Sequence, residues 1–124
     1  MALKKILLID DEVNLAETLK MNLENTDKFE VRVENKGTRG LAAAKEFMPD
    51  LIILDICMPD LGGDELALQI KNDPKCKDIK VIFLTALVEK DDVKGASGVI
   101  GGYPFISKSV GAPELVRLIE KHIG

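Results

Sequence analysis

Three acidic side chains stand where two strongly apolar segments end. Asp10 and Asp11 directly follow the apolar run of residues 6–9, and Asp55 closes the segment LIILD at residues 51–55. Apolar runs of this length are typical of strands buried on both faces, so carboxylates at their ends leave bulk water and repel one another. Hard divalent cations such as Mg²⁺ bind clustered carboxylates together with waters and phosphate oxygens. The pattern therefore indicates a cation between these acids.

A hydroxyl and an ammonium group follow two further strand-like segments. Thr85 closes KVIFLT (80–85), and Lys108 follows YPFIS (103–107). A carboxylate beside a cation can act as a nucleophile and form an aspartyl-phosphate, and lysine supplies a point charge for a phosphoryl group. Taken singly, each residue also has an ordinary structural explanation. Asp11 fits an acid that opens a helix, and Asp55 fits a turn cap. Thr85 fits a strand residue by propensity, and Lys108 fits a solvated surface lysine. Their joint occurrence at strand ends favours phosphoryl chemistry.

The elements that position these residues alternate along the chain. Strand-like runs and helical patterns follow one another, which predicts an α/β fold with a parallel sheet and helices on both faces. The carboxyl ends of parallel strands meet at one edge of the sheet, so the polar groups above converge there. Strands are predicted at 5–10, 29–34, 51–55, 80–85 and 103–107, and helices at 14–25, 38–48, 64–72 and 112–123, with 87–102 only weakly patterned.

Two single residues refine this interpretation of the elements. Asp64 precedes an amphipathic segment and is predicted to be the N-cap of its helix. Pro104 cannot donate a backbone hydrogen bond, so its strand is predicted to lie at an edge of the sheet.

The composition bounds the possible functions. The chain has 124 residues, a net charge of −4 and 46% apolar residues, which predicts one domain over residues 1–124. The absence of a basic cluster and the scarcity of aromatics argue against direct nucleic-acid contact. No apolar run approaches the ~20 residues of a membrane span. Two cysteines and one histidine cannot build a zinc site, and a reducing, cytoplasmic location is expected.

Short motifs follow the predicted strands as a set: the Asp10-Asp11 pair, D-x-x-M-P starting at Asp55, Gly63, Thr85-Ala86 and Lys108. In these motifs the chain resembles the CheY-like receiver domains of two-component response regulators over essentially its whole length. The resemblance implies a doubly wound (βα)5, flavodoxin-like fold with a five-stranded parallel sheet of order 2-1-3-4-5.

The resemblance also implies roles for the acidic residues. Asp55 matches the phosphoacceptor. Asp10 and Asp11 match the acid pair that holds Mg²⁺ together with Asp55, and the backbone carbonyl of Cys57 would complete the metal ligands.

Other positions match residues that respond to the phosphoryl group. Thr85 matches the switch hydroxyl, and Ala86 matches the small residue beside it. Lys108 matches the lysine that pairs with the phosphoryl group, and Phe105 matches the switch aromatic. Cys57 and Leu87 flank the route of attacking water in this family. Because both are apolar here, slow self-dephosphorylation is expected.

The family resemblance implies partners as well. The phosphoryl donor is expected to be a phosphohistidine on a sensor histidine kinase or a histidine phosphotransfer domain. Phosphorylation is expected to shift the conformation and so control an output protein or domain. The chain would catalyse only its own phosphotransfer and dephosphorylation. Two arrangements stay open, a standalone receiver and one domain of a longer protein.

One departure keeps an alternative open. Ser109 follows Lys108 where the family usually has a proline in a cis peptide, and a non-proline cis bond costs about 2.5–4 kcal/mol. Either a trans bond with a shifted loop or a strained cis bond is predicted. The alternative function is a pseudo-receiver that binds proteins without being phosphorylated. A haloacid-dehalogenase-type phosphatase is disfavoured because Cys57 stands where its second acid is needed, and a flavin site because acids stand where its phosphate loop would be.

Overall fold

The fold was described from a computed structural model covering residues 3–56, 58–85, 97–100, 103–108 and 112–123. Strands and helices alternate through most of the chain, as the sequence predicts. A short 3-10 turn, Gly37–Arg39, precedes the second helix. The elements are β1 (Lys4–Ile9), α1 (Val13–Glu24), β2 (Phe29–Glu34), α2 (Gly40–Phe47), β3 (Leu51–Asp55), α3 (Gly63–Asn72), β4 (Lys80–Thr85), β5 (Ser97–Ile100), β6 (Tyr103–Ser107) and α4 (Ala112–Ile123).

The strands form one sheet of order β2-β1-β3-β4-β6-β5. The first five strands in this order pair in parallel, which confirms the predicted order 2-1-3-4-5 with β6 in the fifth place. The β5 strand pairs antiparallel with β6 and was not predicted. It occupies four residues of the weakly patterned stretch 87–102, and the rest of that stretch lies outside the described residues.

The extra strand corrects the prediction made for Pro104. The strand containing Pro104 is not at the edge, because β5 lies beyond it and Val99 pairs with Pro104. Pairing between β6 and β4 begins only at Phe105. The proline therefore lies outside the parallel ladder, where its missing N–H costs no bond to β4.

Alternate residues of the central strands face opposite sides of the sheet. One side packs against α1 and α4, and the other against α2 and α3. In β1, for example, Ile6 and Leu8 face the first layer and Leu7 and Ile9 the second, all fully buried. Both faces of the central strands are therefore covered, which explains their continuous apolar sequences.

The beginning of α3 differs from the prediction. Asp64 is not the N-cap; the helix begins at Gly63, its N-cap is Gly62, and no side chain caps it. Asp64 lies in the first turn, where its charge suits the positive end of the helix. Among the helices of the described residues, none combines the length and apolar character needed to cross a bilayer.

Candidate functional site

The strand register brings the predicted site residues to one edge of the sheet. Ile9 pairs with Leu54, so Asp10 and Asp55 emerge at the same level from neighbouring strands. Thr85 pairs with Ser107, and Lys108 follows directly. The backbone N–H of Lys108 donates to the carbonyl of Thr85 at 2.8 Å. The ends of β1, β3, β4 and β6 thus all contribute to a common site.

Asp10, Asp11 and Asp55 form a cluster that could hold a metal ion. One carboxylate oxygen from each lies within 4.8 Å of the others. Asp10 and Asp55 are buried, whereas Asp11 is partly exposed. The Oδ2 atom of Asp10 is buried and accepts no hydrogen bond within the described structure. A buried carboxylate oxygen with an open lone pair, next to two further carboxylates, fits a hard divalent cation.

The backbone and side chain of Asp10 are both anchored. Its N–H donates to the Glu34 carbonyl at 3.1 Å, and its own carbonyl accepts from Asn35 Nδ2 at 2.9 Å. Its Oδ1 accepts from the backbone N–H of Glu12 at 2.9 Å. This last bond leaves Oδ2 facing the cluster. Sequence reasoning missed the role of Asn35, which follows β2 directly and reaches the Asp10 carbonyl because β2 pairs with β1.

Lys108 supplies the positive charge of the site. Its Nζ lies 3.1 Å from Asp10 Oδ2, without hydrogen-bond geometry, and donates to Asp10 Oδ1 at 3.3 Å. It lies 3.4 Å from Asp55 Oδ2 and donates to Glu12 Oε1 at 2.7 Å. Only 9% of the side chain is exposed.

The carboxylates around Lys108 stabilise its charged form. Burial is the largest single influence and lowers the pKa of this ammonium, and the hydrogen bonds to Glu12 and Asp10 act against it. The charges of Asp10 and Asp55 act in the same direction, and the net effect raises the pKa of Lys108. Lys108 is therefore an ammonium ion throughout the physiological pH range.

Thr85 and Phe105 lie beside the acids on β4 and β6. Thr85 is fully buried, as is Ser107 opposite it. Phe105 is 2% exposed and packs in the layer that contains α2 and α3. Tyr103, two residues earlier, is half-buried and makes an edge-to-face contact with Phe83, with ring centroids 5.4 Å apart. The structure thus places Phe105 in an inward position.

The start of α3 is held close to the end of β3 by a glycine. Gly63 donates its backbone N–H to the Ile56 carbonyl at 3.0 Å. A Cβ at Gly63 would lie 2.4 Å from the Asp55 carbonyl oxygen and 2.7 Å from the Ile56 Cα. The Gly63 motif residue is therefore required by the close approach of α3 to the end of β3.

Asp60 ties this loop to the turn before α2. Its carboxylate accepts from the backbone N–H groups of Gly37 and Thr38 at 3.2 and 3.1 Å, and from the Thr38 hydroxyl at 3.1 Å. The Thr38 backbone hydrogen bond is the main cause of a lowered Asp60 pKa. Sequence reasoning missed this contact; the only available signal was an acid in a Pro- and Gly-containing loop.

Several predictions fall on residues that the structure does not describe. Cys57, Ala86 and Leu87 are among them, so the Cys57 carbonyl, the small residue beside Thr85 and the two rate-tuning positions lie outside the described residues. Ser109 does too, and with it the predicted choice between a trans and a cis Lys108–Ser109 peptide.

Comparison with known proteins gives a family match over most of the chain. The family described as "Response regulator receiver domain" matches residues 6–120. The chain is 30% identical to the polar-differentiation response regulator DivK of Brucella anthropi over 98% of its length, covering 97% of DivK. It is 32% identical to the phosphate regulon transcriptional regulatory protein PhoB of Rhizobium meliloti over 95% of its length, covering 51% of PhoB.

A solved structure agrees with the fold. A CheY-like response regulator receiver domain protein from Methanospirillum hungatei superimposes with a TM-score of 0.80 at 25% identity, covering 98% of this chain and 94% of the other. The chain spans about half the length of several curated relatives, PhoB among them, and nearly the whole of DivK.

Proposed function

The chain belongs to the response regulator receiver domain family of two-component signalling, and we propose that Asp55 is the phosphoacceptor of this receiver. Receiver domains are signalling modules rather than classical enzymes. The observation that carries the proposal is the position of Lys108, whose ammonium lies within 3.4 Å of the carboxylates of Asp10 and Asp55. Asp55 is a buried carboxylate that can act as a nucleophile, and it lies beside Asp10, a proposed ligand of a cation, and beside the positive charge of Lys108. This arrangement suits phosphoryl transfer.

The proposed reaction is a displacement at phosphorus. An oxygen of Asp55 attacks the phosphorus of a phosphohistidine, a P–O bond forms, and the P–N bond breaks with its electron pair leaving on the imidazole nitrogen. Lys108 places positive charge beside the phosphoryl oxygens. Water later attacks the phosphorus of the aspartyl-phosphate, the bond from phosphorus to the Asp55 oxygen breaks with its electron pair staying on the carboxylate, and inorganic phosphate is released. In this proposal the chain catalyses its own phosphorylation and dephosphorylation and no other reaction.

We assign Mg²⁺ to Asp10, Asp11 and Asp55, with the Cys57 backbone carbonyl as a further proposed ligand. The open lone pair of Asp10 Oδ2 supports this assignment. A bound divalent cation supplies positive charge to the transferring phosphoryl group. The protein's own contribution is to hold three oxygens from two strands close together before the cation arrives.

The proposed switch lies on β4 and β6. Thr85 donates its hydroxyl to a phosphoryl oxygen, Ala86 leaves room beside it, and Phe105 repacks as Thr85 moves. The 2.8 Å hydrogen bond between the backbones of Thr85 and Lys108 supports this coupling, because it joins the two phosphoryl-binding residues directly. Phosphorylation then shifts the population towards the active packing.

The lifetime of the phosphorylated state is proposed to be long. Cys57 and Leu87 stand at the two positions that flank the path of attacking water in this family. Neither side chain orients a water molecule, so hydrolysis is expected to be slow.

The proposed partners are a sensor histidine kinase or a histidine phosphotransfer domain upstream, and an output protein or domain downstream. One relative is named as a transcriptional regulatory protein and another as a polar-differentiation response regulator, and the chain covers very different shares of the two. A standalone receiver and a domain of a longer protein both remain compatible with these lengths. A single domain over residues 1–124 and a cytoplasmic location remain predictions.

The experiment that tests the proposal is intact-mass analysis after incubation with acetyl phosphate and Mg²⁺. The wild type is expected to gain one phosphoryl group in a Mg²⁺-dependent manner, and Asp55→Asn is expected to gain none. Asp50→Asn is the matched control: Asp50 lies at the opposite edge of the sheet, where it accepts from the Lys5 N–H at 2.8 Å.

The outcomes separate the proposal from its alternative. Phosphorylation of wild type and Asp50→Asn alone would support Asp55 as acceptor. A folded wild type that gains no phosphoryl group would overturn the proposal and favour the pseudo-receiver. Equal labelling of Asp55→Asn would place the acceptor elsewhere.

A further inference from the structure

Glu12 makes the shortest contact of the Lys108 ammonium. Lys108 Nζ donates to Glu12 Oε1 at 2.7 Å, while the nearest oxygens of Asp10 and Asp55 lie at 3.1 and 3.4 Å. Glu12 lies outside the three-carboxylate cluster and has no role in the proposed phosphoryl transfer. Its side chain is 57% exposed, whereas that of Lys108 is 9% exposed. The lysine therefore reaches from a buried position towards a solvent-facing acid.

The backbone of Glu12 is fixed so that this contact can form. Its N–H donates to Asp10 Oδ1 at 2.9 Å, and its carbonyl accepts from the Ala16 N–H at 3.0 Å as α1 begins. The same Asp10 side chain thus orients both Glu12 and Lys108. A helix-opening acid needs no lysine partner, so favourable helix-dipole electrostatics alone does not account for the pair.

Lys108 has competing partners in this site. A cation bound at Asp10, Asp11 and Asp55 repels the ammonium and occupies oxygens that otherwise face it. Glu12 is then the acid near Lys108 that is not a proposed cation ligand. A phosphoryl group on Asp55 would compete with Glu12 for the same ammonium.

We propose that Glu12 is a positioning residue that holds Lys108 in the unphosphorylated protein and must release it before Lys108 pairs with the phosphoryl group. This inference rests on the proposed function of Asp55. The half-exposed carboxylate makes the pair weak enough to break, because ion pairs with solvent access contribute little. Glu12 therefore sets how readily the receiver accepts a phosphoryl group.

The first measurement tests the holding contact without any phosphorylation. ¹⁵N relaxation of the Lys108 ammonium, assigned by the loss of its signal in Lys108→Arg, is compared between wild type and Glu12→Gln with and without Mg²⁺. An ordered ammonium in the wild type and a more mobile one in Glu12→Gln are expected. Equal mobility in the two proteins would overturn the proposal.

The second measurement tests the consequence for the reaction. With acetyl phosphate limiting and Mg²⁺ saturating for each variant, Glu12→Gln is expected to be phosphorylated about two- to fivefold faster, the range that corresponds to a solvent-accessible ion pair. Glu34→Gln is the matched control, because it removes the same negative charge from a different position, the end of β2. Among the described residues, the carboxylates that contact Lys108 are those of Asp10, Glu12 and Asp55, and Glu34 is not one of them.

A double variant tests whether the gain from Glu12→Gln acts through Lys108 or follows from the loss of one negative charge alone. In a Lys108→Ala background the gain from Glu12→Gln is expected to vanish. An equal gain in Glu34→Gln, or a gain that persists without Lys108, would overturn the proposal. A wild type that accepts no phosphoryl group would refute the proposed function of Asp55, while the ammonium relaxation would still decide whether Glu12 holds Lys108.

Discussion

The two edges of the sheet differ in how deeply their charged side chains are buried and in how these side chains are paired. At the carboxyl edge, Asp10 and Asp55 are buried and share one cation, Lys108. At the amino edge the lysines are exposed: Lys28 contacts Glu120 with side chains 61% and 36% exposed, and Lys80 donates to the His122 backbone carbonyl at 3.0 Å.

This difference separates buried charges that depend on one shared partner from charges that water already stabilises. Exposed ion pairs contribute little and their loss is tolerated. A buried charge group is costly to assemble and costly to disturb, because each remaining member loses its compensation. The carboxyl edge should therefore be sensitive to substitutions that the amino edge tolerates.

The largest effect is expected from crowding the carboxyl edge. Gly63→Ala places a Cβ 2.4 Å from the Asp55 carbonyl oxygen, so α3 must move away from β3. A loss of about 2–4 kcal/mol in the free energy of unfolding is expected, the cost of forced overpacking against backbone. Urea unfolding measures it.

Gly62→Ala is the matched control for this crowding. A Cβ at Gly62 meets only the carboxylate of Asp64, which can rotate away, and its φ of −62° suits any residue. A change within about 0.5 kcal/mol is expected. Similar losses for the two variants would show that close approach to Asp55 is not what requires glycine.

A smaller effect is expected from removing one cation at each edge. Lys108→Met leaves the buried carboxylates of Asp10 and Asp55 without their ammonium partner and should cost about 1–3 kcal/mol without Mg²⁺. Lys28→Met removes an exposed partner and should cost no more than about 1 kcal/mol.

Added Mg²⁺ sharpens this comparison between the two lysines. A cation bound at the carboxyl edge offsets the same repulsion, so Mg²⁺ should restore much of the stability of Lys108→Met and leave Lys28→Met nearly unchanged. Equal losses in the two variants, measured by urea unfolding in chelator, would remove the distinction between the edges.

The smallest effect is expected from the titration of His122 at the amino edge. Burial, then the charges of Lys121 and Lys80, lower the pKa of His122 below its usual 6.5. The unfolded chain therefore binds more protons just below 6.5, and stability is lost as the pH falls from 6.5 through the lower pKa of the folded chain.

His122→Gln should remove this part of the pH dependence. Urea midpoints of wild type and His122→Gln, compared at about pH 8 and about pH 5.5, should diverge at the lower pH with the variant relatively more stable. A constant difference between the two proteins would mean that burial of His122 does not disfavour its protonation.

The fold was predictable where the sequence pattern is strong. Continuous apolar runs with a polar last residue identified β3 and β4 to the residue, and strict alternation identified β2. The β5 strand was missed because its four residues, which include Gly98, carry too little pattern to distinguish a strand from a loop. The N-cap of α3 was assigned wrongly because propensity favoured Asp64, whereas close packing on Asp55 fixed the helix start at Gly63.

The sequence was enough to predict which residues form the site, but not which of their side chains contact one another. Strand ends converge by topology, so Asp10, Asp55, Thr85 and Lys108 could be grouped from sequence alone. The contact between Glu12 and Lys108 depends on side-chain rotamers, and the bonds from the Gly37–Arg39 turn to the Asp60 carboxylate depend on how two loops approach. Neither leaves a periodic signal in the sequence.

The hairpin of β5 and β6 also has a consequence for the time course of folding. Among the described strands it is the one antiparallel pairing, and only two residues separate its strands in sequence, whereas each parallel pairing needs a crossover of a dozen residues or more. Hairpins close in roughly 1–10 μs, and pairings distant in sequence are slower because loop closure must come first. This hairpin can therefore form before the parallel strands assemble, and it then offers β6 as a formed strand for pairing with β4.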